Sequence, residues 1–296
     1  MPDSCIKRRM LFACRQAYDD TVPAAGAPVG WLAPPQVFTA ASPNGSGQID
    51  RALVGRIPEG ILLAFRGTLP PTSKTHPPLE VFLDWANDAD LLPLENKTYP
   101  GCVHRGFAGS LDRLWPKIEP AIRSLLQPEK ANNRLFVTGH SKGGALANLA
   151  AWRALDIHEL ASPIRVMTIA AARAGNQAFR TGYESHGGIQ CLRYESTFDA
   201  VPYLPLGNDA PLWVKELTGM IWKGLPKFDY AVTGQRVLAR VTAMEAFQAV
   251  QRYLSWLGIG HPRTNYVPLL VQAHDISPGS DYDTLVCTGE PGCTHV

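Results

Sequence analysis

The chain has 296 residues, of which 45% are hydrophobic, so it can bury a sizeable core and is not expected to be disordered. Its 28 lysines and arginines nearly balance 26 acidic residues, and no basic block is interleaved with aromatic residues, so nucleic acid is not an expected partner. Because no apolar stretch reaches about 18 residues, we expect no transmembrane segment.

The first apolar positions have helical spacing. Ile6, Met10, Cys14 and Tyr18 lie four residues apart, which predicts an amphipathic helix. The apolar patch after Lys7 is too short for the core of a signal peptide, so we expect no Sec-type signal. This expectation fits a cytoplasmic protein, a processed secreted chain or non-classical export.

Cysteines and histidines give no metal-binding pattern. The six cysteines are spread over the whole chain, and only Cys287 and Cys293 have a spacing that suggests a closed loop. The sequence contains neither a C-x-x-C pair nor a His-x-x-x-His pair. We therefore expect no metal site, and the chemistry predicted below needs no cofactor.

Two elements are predicted before the middle of the chain. Residues 51–57 and 61–65 are apolar runs joined by Pro58-Glu59-Gly60, which is typical of a β-hairpin. A helix is then predicted from apolar residues at helical spacing, and Pro116 and Pro120 are expected to kink or split it. These apolar residues are Phe107, Leu111, Leu114, Ile118, Ile122 and Leu125.

The segment 135–150, LFVTGHSKGGALANLA, is the most informative one. It reads as a buried strand, the G-x-S-x-G turn Gly139–Gly143, and a helix of small residues. Such a turn exposes a serine hydroxyl at the end of a strand, where a histidine and an acyl carbonyl can both approach it. The pattern favours Ser141 as a nucleophile; the alternative is a glycine-rich turn with a bystander serine.

Later elements indicate an α/β fold. Apolar runs at 164–170 and 191–194 each follow helical material, so strands and helices alternate. This order predicts a mostly parallel central sheet with helices on both faces and an active site at the carboxyl ends of its strands. Residues 206–262 suggest two helices, either a cap-like insertion or an ordinary covering layer. With no internal repeat or low-complexity linker, we expect a single domain spanning 1–296.

A serine nucleophile needs an acid and a base, which follow it in that order in α/β-hydrolases. Asp199 follows a predicted strand and precedes Ala200-Val201-Pro202, so it lies where the acid is expected. A turn-forming aspartate ahead of a proline is the alternative explanation.

The base is expected among the histidines that come after the acid. His274 follows the apolar run 267–271 and lies on a loop that leaves a buried segment, which favours it. His261 is the reserve candidate, and His295 lies next to the terminus. His186 precedes Asp199 and is excluded by the order.

Six motifs in order resemble the class 3 (fungal-type) lipases of the α/β-hydrolase superfamily. Each motif is weak alone, but their shared order is far more specific. They are Ala64-Phe65-Arg66-Gly67-Thr68, Asp84-Trp85 with Asp88, Val103-His104-Arg105-Gly106-Phe107, Gly139 to Ala147, Arg173-Ala174-Gly175-Asn176, and Asp199-Ala200-Val201-Pro202.

The resemblance implies an α/β-hydrolase fold with the triad Ser141, Asp199 and His274. It also implies an oxyanion hole formed by Thr68 and by the backbone N–H of Lys142. A lid helix after the oxyanion strand is implied within 69–92. Its substrate-facing residues would be Phe82, Leu83 and Trp85.

Two features depart from the family pattern. Position 142 is lysine where these lipases usually have leucine, and this lysine is expected to be solvated or paired with a carboxylate. A catalytic lysine is disfavoured because the Ser-x-x-Lys spacing is absent. The interval between Asp199 and His274 is also longer than the resemblance implies, which is consistent with a cap in 206–262.

Together these features predict a serine carboxyl-ester hydrolase, in the first place a lipase that cleaves acylglycerol esters through an acyl-enzyme. Phospholipase A1, thioesterase, and feruloyl or other carboxylesterase activities use the same nucleophile and remain alternatives. The last alternative is a protein of another class, namely an inactive module that binds lipid or a partner. The expected partner is a lipid or other ester substrate, and the apolar lid candidate is compatible with an oil–water interface.

Overall fold

A computed structural model describes residues 3–41, 48–68, 92–196, 199–212, 214–215, 229–238 and 274–287. Several predicted features fall outside these ranges. They are the lid residues Phe82, Leu83 and Trp85 with nearly all of 69–92, most of the cap-like region 206–262, His261, and Cys293, the proposed partner of Cys287.

The described residues form five α-helices and eleven strands. The helices are α1 (Asp3–Gln16), α2 (Arg105–Ser124), α3 (Lys142–Ala154), α4 (Gln177–Ser185) and α5 (Asp281–Cys287). The strands are β1 (Gln36–Ala41), β2 (Gln48–Ile57), β3 (Gly60–Phe65), β4 (Pro93–Glu95), β5 (Cys102–His104), β6 (Arg134–His140), β7 (Ala161–Ile169), β8 (Gly175–Asn176), β9 (Ile189–Glu195), β10 (Tyr230–Ala231) and β11 (Gln235–Leu238).

Seven strands form the central sheet in the order β1-β2-β3-β6-β7-β9-β11. From β3 to β11 every neighbouring pair is parallel, whereas β1, β2 and β3 pair antiparallel. The predicted hairpin is therefore confirmed as β2 and β3. The strand β11 was not predicted from the sequence, and it extends the parallel part of the sheet within the region assigned to a cap.

Helices cover both faces of this sheet, because its strands alternate their side chains between two cores. On β3 and β6, Leu63 and Val137 join the core under α2, α3 and α4. Their neighbours Leu62 and Phe136 face the opposite core, under α1 and α5. The prediction of a mostly parallel sheet between two helical layers is confirmed.

The helix α2 runs unbroken through both of its prolines, so the expected split is wrong. Pro116 and Pro120 lie inside Arg105–Ser124. Each proline removes one backbone hydrogen bond, but the helix is held by a continuous apolar face buried against the sheet and by the His104 side chain at its N-cap. The buried large apolar residues are Phe107, Leu111, Leu114, Ile118 and Ile122.

A second, antiparallel sheet has the order β10-β8-β5-β4 and lies beside the start of α2. In the central sheet, the parallel strands β6, β7 and β9 are connected through the helices α3 and α4. The carboxyl ends of these strands therefore lie at one edge of the sheet. Among the described residues, no helix combines the length and apolar character that a bilayer span requires.

Candidate active site

Ser141 lies in the sharp turn between β6 and α3. Its backbone has φ +59° and ψ −129°, a conformation that costs a non-glycine residue about 1–3 kcal/mol. The turn is held by backbone hydrogen bonds: Ser141 N–H donates to Ile169 O at the end of β7 at 3.0 Å, and Ser141 O accepts from Gly144 N at 3.0 Å. A strained serine at the end of a central strand is the arrangement expected of a nucleophile in this fold.

The glycines of the turn are required by close backbone approach. A Cβ atom at Gly139 would lie 2.0 Å from Gly143 O, and one at Gly143 would lie 2.5 Å from Phe65 O. The start of α3 can therefore pack against the ends of β6 and β3 only if both positions lack a side chain. This explains the turn sequence in steric terms.

Asp199 follows β9, is fully buried, and uses both carboxylate oxygens. Its Oδ1 accepts a hydrogen bond from Val201 N at 2.9 Å, as a turn-forming aspartate would. Its Oδ2 lies 2.8 Å from His274 Nδ1, which is the contact expected of an acid that orients the base. The two explanations of Asp199 are thus compatible.

Tyr282 is a further partner of this carboxylate. Its hydroxyl donates to Asp199 Oδ2 at 2.7 Å and accepts from Ser196 N at 3.0 Å. Burial, followed by the charge of Asp199, raises the pKa of Tyr282 well above its usual value, so the hydroxyl stays protonated and remains a donor. The carboxylate is therefore held by donors from its own loop, from α5 and from His274.

His140 connects the serine turn to the loop of the candidate base. Its Nε2 lies 2.9 Å from the carbonyl oxygen of His274, which can only accept, so Nε2 carries the proton. Burial lowers the pKa of His140 well below its usual value and keeps the ring neutral. Its Nδ1 then accepts from the Tyr18 hydroxyl at 2.7 Å.

The backbone that follows β3 packs closely against Ser141. A Cβ atom at Gly67 would lie 3.0 Å from Ser141 Cβ and 2.7 Å from His140 O, so the segment that leads into Thr68 packs against the Ser141 turn. Within the described part of the chain, the buried Thr68 Oγ1 has no hydrogen-bond partner. Two sites predicted to donate to an oxyanion, Thr68 and Lys142, therefore lie in segments that flank Ser141.

Lys142 begins α3, and its side chain turns into the protein. The ammonium contacts Asp50 Oδ1, and the Lys142 side chain is only 3% exposed. Of the two expectations for this lysine, pairing with a carboxylate is confirmed and solvation is wrong. The backbone N–H of Lys142, the first residue of α3, has no acceptor within its own helix, as at every helix N-terminus.

Sequence comparison identifies the family. The sequence model described as Lipase (class 3) matches residues 62–208, just under half of the chain, and the matched segment includes Thr68, Ser141 and Asp199. This segment belongs to the class 3 lipase family. His274 lies outside the matched segment, and so do α1 with Tyr18 and α5 with Tyr282.

Two relatives of this chain carry different names. It is 28% identical over 172 residues to phospholipase A1-II 3 of Oryza sativa subsp. japonica, covering 48% of this chain and 38% of the relative. It is 31% identical over 154 residues to lipase ZK262.3 of Caenorhabditis elegans, covering 52% and 40%. The chain thus spans well under half the length of these relatives.

The fold is also shared with solved lipase structures. The triacylglyceride lipase of Rhizomucor miehei superposes with a TM-score of 0.53 at 20% identity, covering 79% of this chain and 78% of that one. The expected α/β-hydrolase fold is confirmed. At this level of identity the similarity concerns the fold and not the substrate.

Three contributors to the site were not singled out from the sequence. Tyr18 was assigned to the apolar face of the first helix, His140 was only the variable position of G-x-S-x-G, and Asp50 received no role. Asp50 lies between Gln48 and Arg51 at the polar start of β2, so the local sequence holds no signal that would have marked it. The contacts of Tyr18 and His140 depend on tertiary packing.

Proposed function

We propose that this chain is a serine carboxyl-ester hydrolase that cleaves lipid esters through an acyl-enzyme. The observation that carries the proposal is the 2.8 Å contact between His274 Nδ1 and Asp199 Oδ2, at the sheet edge where the strained Ser141 turn also lies. Membership of residues 62–208 in the class 3 lipase family supports it.

The proposed reaction begins with attack of Ser141 Oγ on the ester carbonyl. His274 accepts the serine proton at Nε2, because its Nδ1–H is committed to the carboxylate of Asp199. Asp199 holds this tautomer and stabilises the imidazolium that forms. The imidazolium then protonates the leaving alcohol, and water attacks the acyl-enzyme with His274 again acting as base.

The negative charge on the carbonyl oxygen needs donors on the other side of the substrate. We assign this role to the backbone N–H of Lys142 and to Thr68, through its N–H and hydroxyl. The buried Thr68 hydroxyl and the contact of Gly67 with the Ser141 turn support the assignment. Preorganised donors of this kind are usually the largest single contribution to acyl-transfer catalysis.

The substrate class is proposed from the relatives and from the predicted lid. A triacylglycerol or related acylglycerol is the first candidate, because a named relative is a lipase. A phospholipid cleaved at its first acyl ester is the second, because another relative is named phospholipase A1. The lid in 69–92, with Phe82, Leu83 and Trp85, remains a proposal and fits an apolar acyl chain met at an oil–water interface.

The decisive experiment is replacement of Ser141 by alanine. Hydrolysis of p-nitrophenyl butyrate should fall by about 10³-fold or more, while the circular dichroism spectrum stays unchanged. Ser124→Ala, on the exposed end of α2, is the matched control and should keep full activity. Retained hydrolysis in Ser141→Ala would refute the proposal.

Two further measurements separate the alternatives. Labelling of Ser141 by a fluorophosphonate distinguishes an active hydrolase from an inactive lipid-binding or partner-binding module. A panel of triolein, phosphatidylcholine, feruloyl ester and acyl-thioester substrates then distinguishes a lipase from a phospholipase A1 or another esterase. The ratio of kcat/KM values across the panel is the readout, since specificity is a difference of transition-state stabilisation.

A further inference from the structure

Lys142 and Asp50 form a buried ion pair directly beneath the serine turn. The Lys142 ammonium contacts Asp50 Oδ1, with side-chain exposures of 3% and 0%. The second oxygen, Oδ2, accepts from Arg113 Nη2 at 3.1 Å. The carboxylate therefore joins β2, α2 and the first residue of α3.

The lysine remains at this position because of the carboxylate. Burial lowers the pKa of Lys142, and the nearby charges of Arg113 and Arg66 act in the same direction, whereas Asp50 raises it. A buried ammonium without a partner is strongly unfavourable, so the contact with Asp50 fixes where the side chain can lie. The side chain in turn restrains the backbone of residue 142.

Asp50 is also linked to the other oxyanion segment. Its neighbour Arg51 accepts a backbone hydrogen bond from Arg66 N at 3.0 Å, and Arg66 is followed by Gly67 and Thr68. The pairing of Ala52 with Phe65 continues this connection along β2 and β3. One carboxylate on β2 thus holds the segment that carries Lys142 and lies beside the segment that carries Thr68.

We propose that Lys142 is a positioning residue, whose buried ion pair with Asp50 sets the separation of the two oxyanion-donating segments, Gly67-Thr68 and Ser141-Lys142. The lysine side chain does not touch substrate and transfers no proton. This role rests on the proposed hydrolase function. It gives a physical reason for the one residue of the serine turn that departs from the family pattern.

The test compares Lys142→Met, Asp50→Asn and the double variant with the wild type. Each single variant should lower kcat for p-nitrophenyl butyrate by about 10- to 100-fold, the range expected when donors shift by up to about 1 Å, with KM changed less than about threefold. Affinity for an aryl boronic acid, which mimics the tetrahedral intermediate, should weaken in parallel with kcat. Lys130→Met, an exposed lysine before β6, is the matched control.

The double variant keeps the test valid if a single variant misfolds, because it removes both buried charges together and leaves Arg113, 33% exposed, able to reach water. Its loss of kcat should not exceed the larger of the single losses, because both changes break one contact. Full kcat and unchanged boronic acid affinity in a folded Lys142→Met or in the double variant would overturn the positioning role.

The same experiment separates this inference from the proposed function. An active wild type, an inactive Ser141→Ala and an undiminished Lys142→Met would overturn the positioning role alone. A wild type that neither hydrolyses esters nor reacts with a fluorophosphonate would overturn both. An activity loss in Lys142→Met that only follows the folded fraction would also contradict positioning.

Discussion

The Tyr282 hydroxyl donates to Asp199 Oδ2 at 2.7 Å, the same carboxylate oxygen that His274 Nδ1 contacts at 2.8 Å. Two donors on one oxygen restrict the carboxylate to a single rotamer. Because Tyr282 comes from α5 and Asp199 from the loop after β9, this contact couples the end of the chain to the proposed acid.

Tyr282→Phe should therefore weaken both folding and catalysis. Loss of the hydroxyl leaves the Ser196 N–H without its acceptor, so the free energy of unfolding should fall by about 1–3 kcal/mol in urea titrations. Looser orientation of the carboxylate should lower kcat by up to about tenfold, or about 1.4 kcal/mol.

Tyr183→Phe is the matched control for this change. Tyr183 is equally buried and donates to Asn148 Oδ1 at 3.1 Å, between α4 and α3. It should lose a similar stability and no activity. Equal losses of kcat in both variants would contradict a role of Tyr282 in orienting Asp199.

Asp199→Asn tests the acid itself. The amide can still accept from Val201 N and preserve the turn, but it cannot hold the His274 tautomer or stabilise the imidazolium. We expect kcat to fall by about 10⁴-fold with little change in the unfolding midpoint. Asp156→Asn, an exposed aspartate after α3, should remain within about twofold of the wild type.

Gly67→Ala should separate the segment that carries Thr68 from the Ser141 turn. The added methyl group would lie 2.2 Å from the Tyr18 hydroxyl and 2.7 Å from His140 O, so the backbone must move. We expect kcat to fall by about 100-fold, with a smaller change in KM. An unchanged kcat would show that this approach is not needed for turnover.

The control for Gly67→Ala is Gly109→Ala, in the second turn of α2. There the nearest atom to an added Cβ is Arg113 Nη1 at 3.6 Å, an ordinary contact. Alanine should stabilise the helix by about 0.5–1 kcal/mol and leave kcat unchanged. The two variants together distinguish a steric effect at the site from a general effect of losing a glycine.

His104 predicts a pH dependence of stability. Its Nδ1 accepts from Phe107 N at 3.3 Å, and burial, with a contribution from the charge of Lys142, lowers its pKa from 6.5 to about 3. Between pH 6.5 and about pH 3 the histidine is protonated in the unfolded chain but not in the folded protein. The free energy of unfolding is therefore highest above pH 6.5 and decreases as the pH falls towards 3.

The variant His104→Asn keeps an N-cap acceptor but cannot titrate. Urea unfolding between pH 4 and 6 should show a slope lower by about 1.4 kcal/mol per pH unit than that of the wild type. His158→Asn, which changes an exposed histidine, is the control and should leave the slope unchanged. An identical slope in His104→Asn and the wild type would contradict a buried neutral histidine.

Local pattern alone predicted much of the main architecture of this protein. The hairpin of β2 and β3, the G-x-S-x-G turn and the alternating strands and helices depend on periodicity and on turn residues, which act over a few positions. The break expected in α2 was wrong because tertiary burial of one helical face outweighs two missing hydrogen bonds. The strand β11 was not predicted because it is short and depends on pairing with β9, which local sequence does not reveal.

The residues of the candidate site likewise fall into those predicted from the sequence and those recognised only in the structure. Chain order and residue type predicted Ser141, Asp199 and His274, with His261 as the reserve base, because each of the three lies at the end of a predicted element. Only the tertiary structure decided that Tyr18, His140 and Tyr282 bind around them, since those contacts join residues more than eighty positions apart. The partner of Lys142 was likewise decided by packing. The sequence predicted either solvation or pairing with a carboxylate, and packing of β2, α2 and α3 brings Asp50 into contact with the buried lysine.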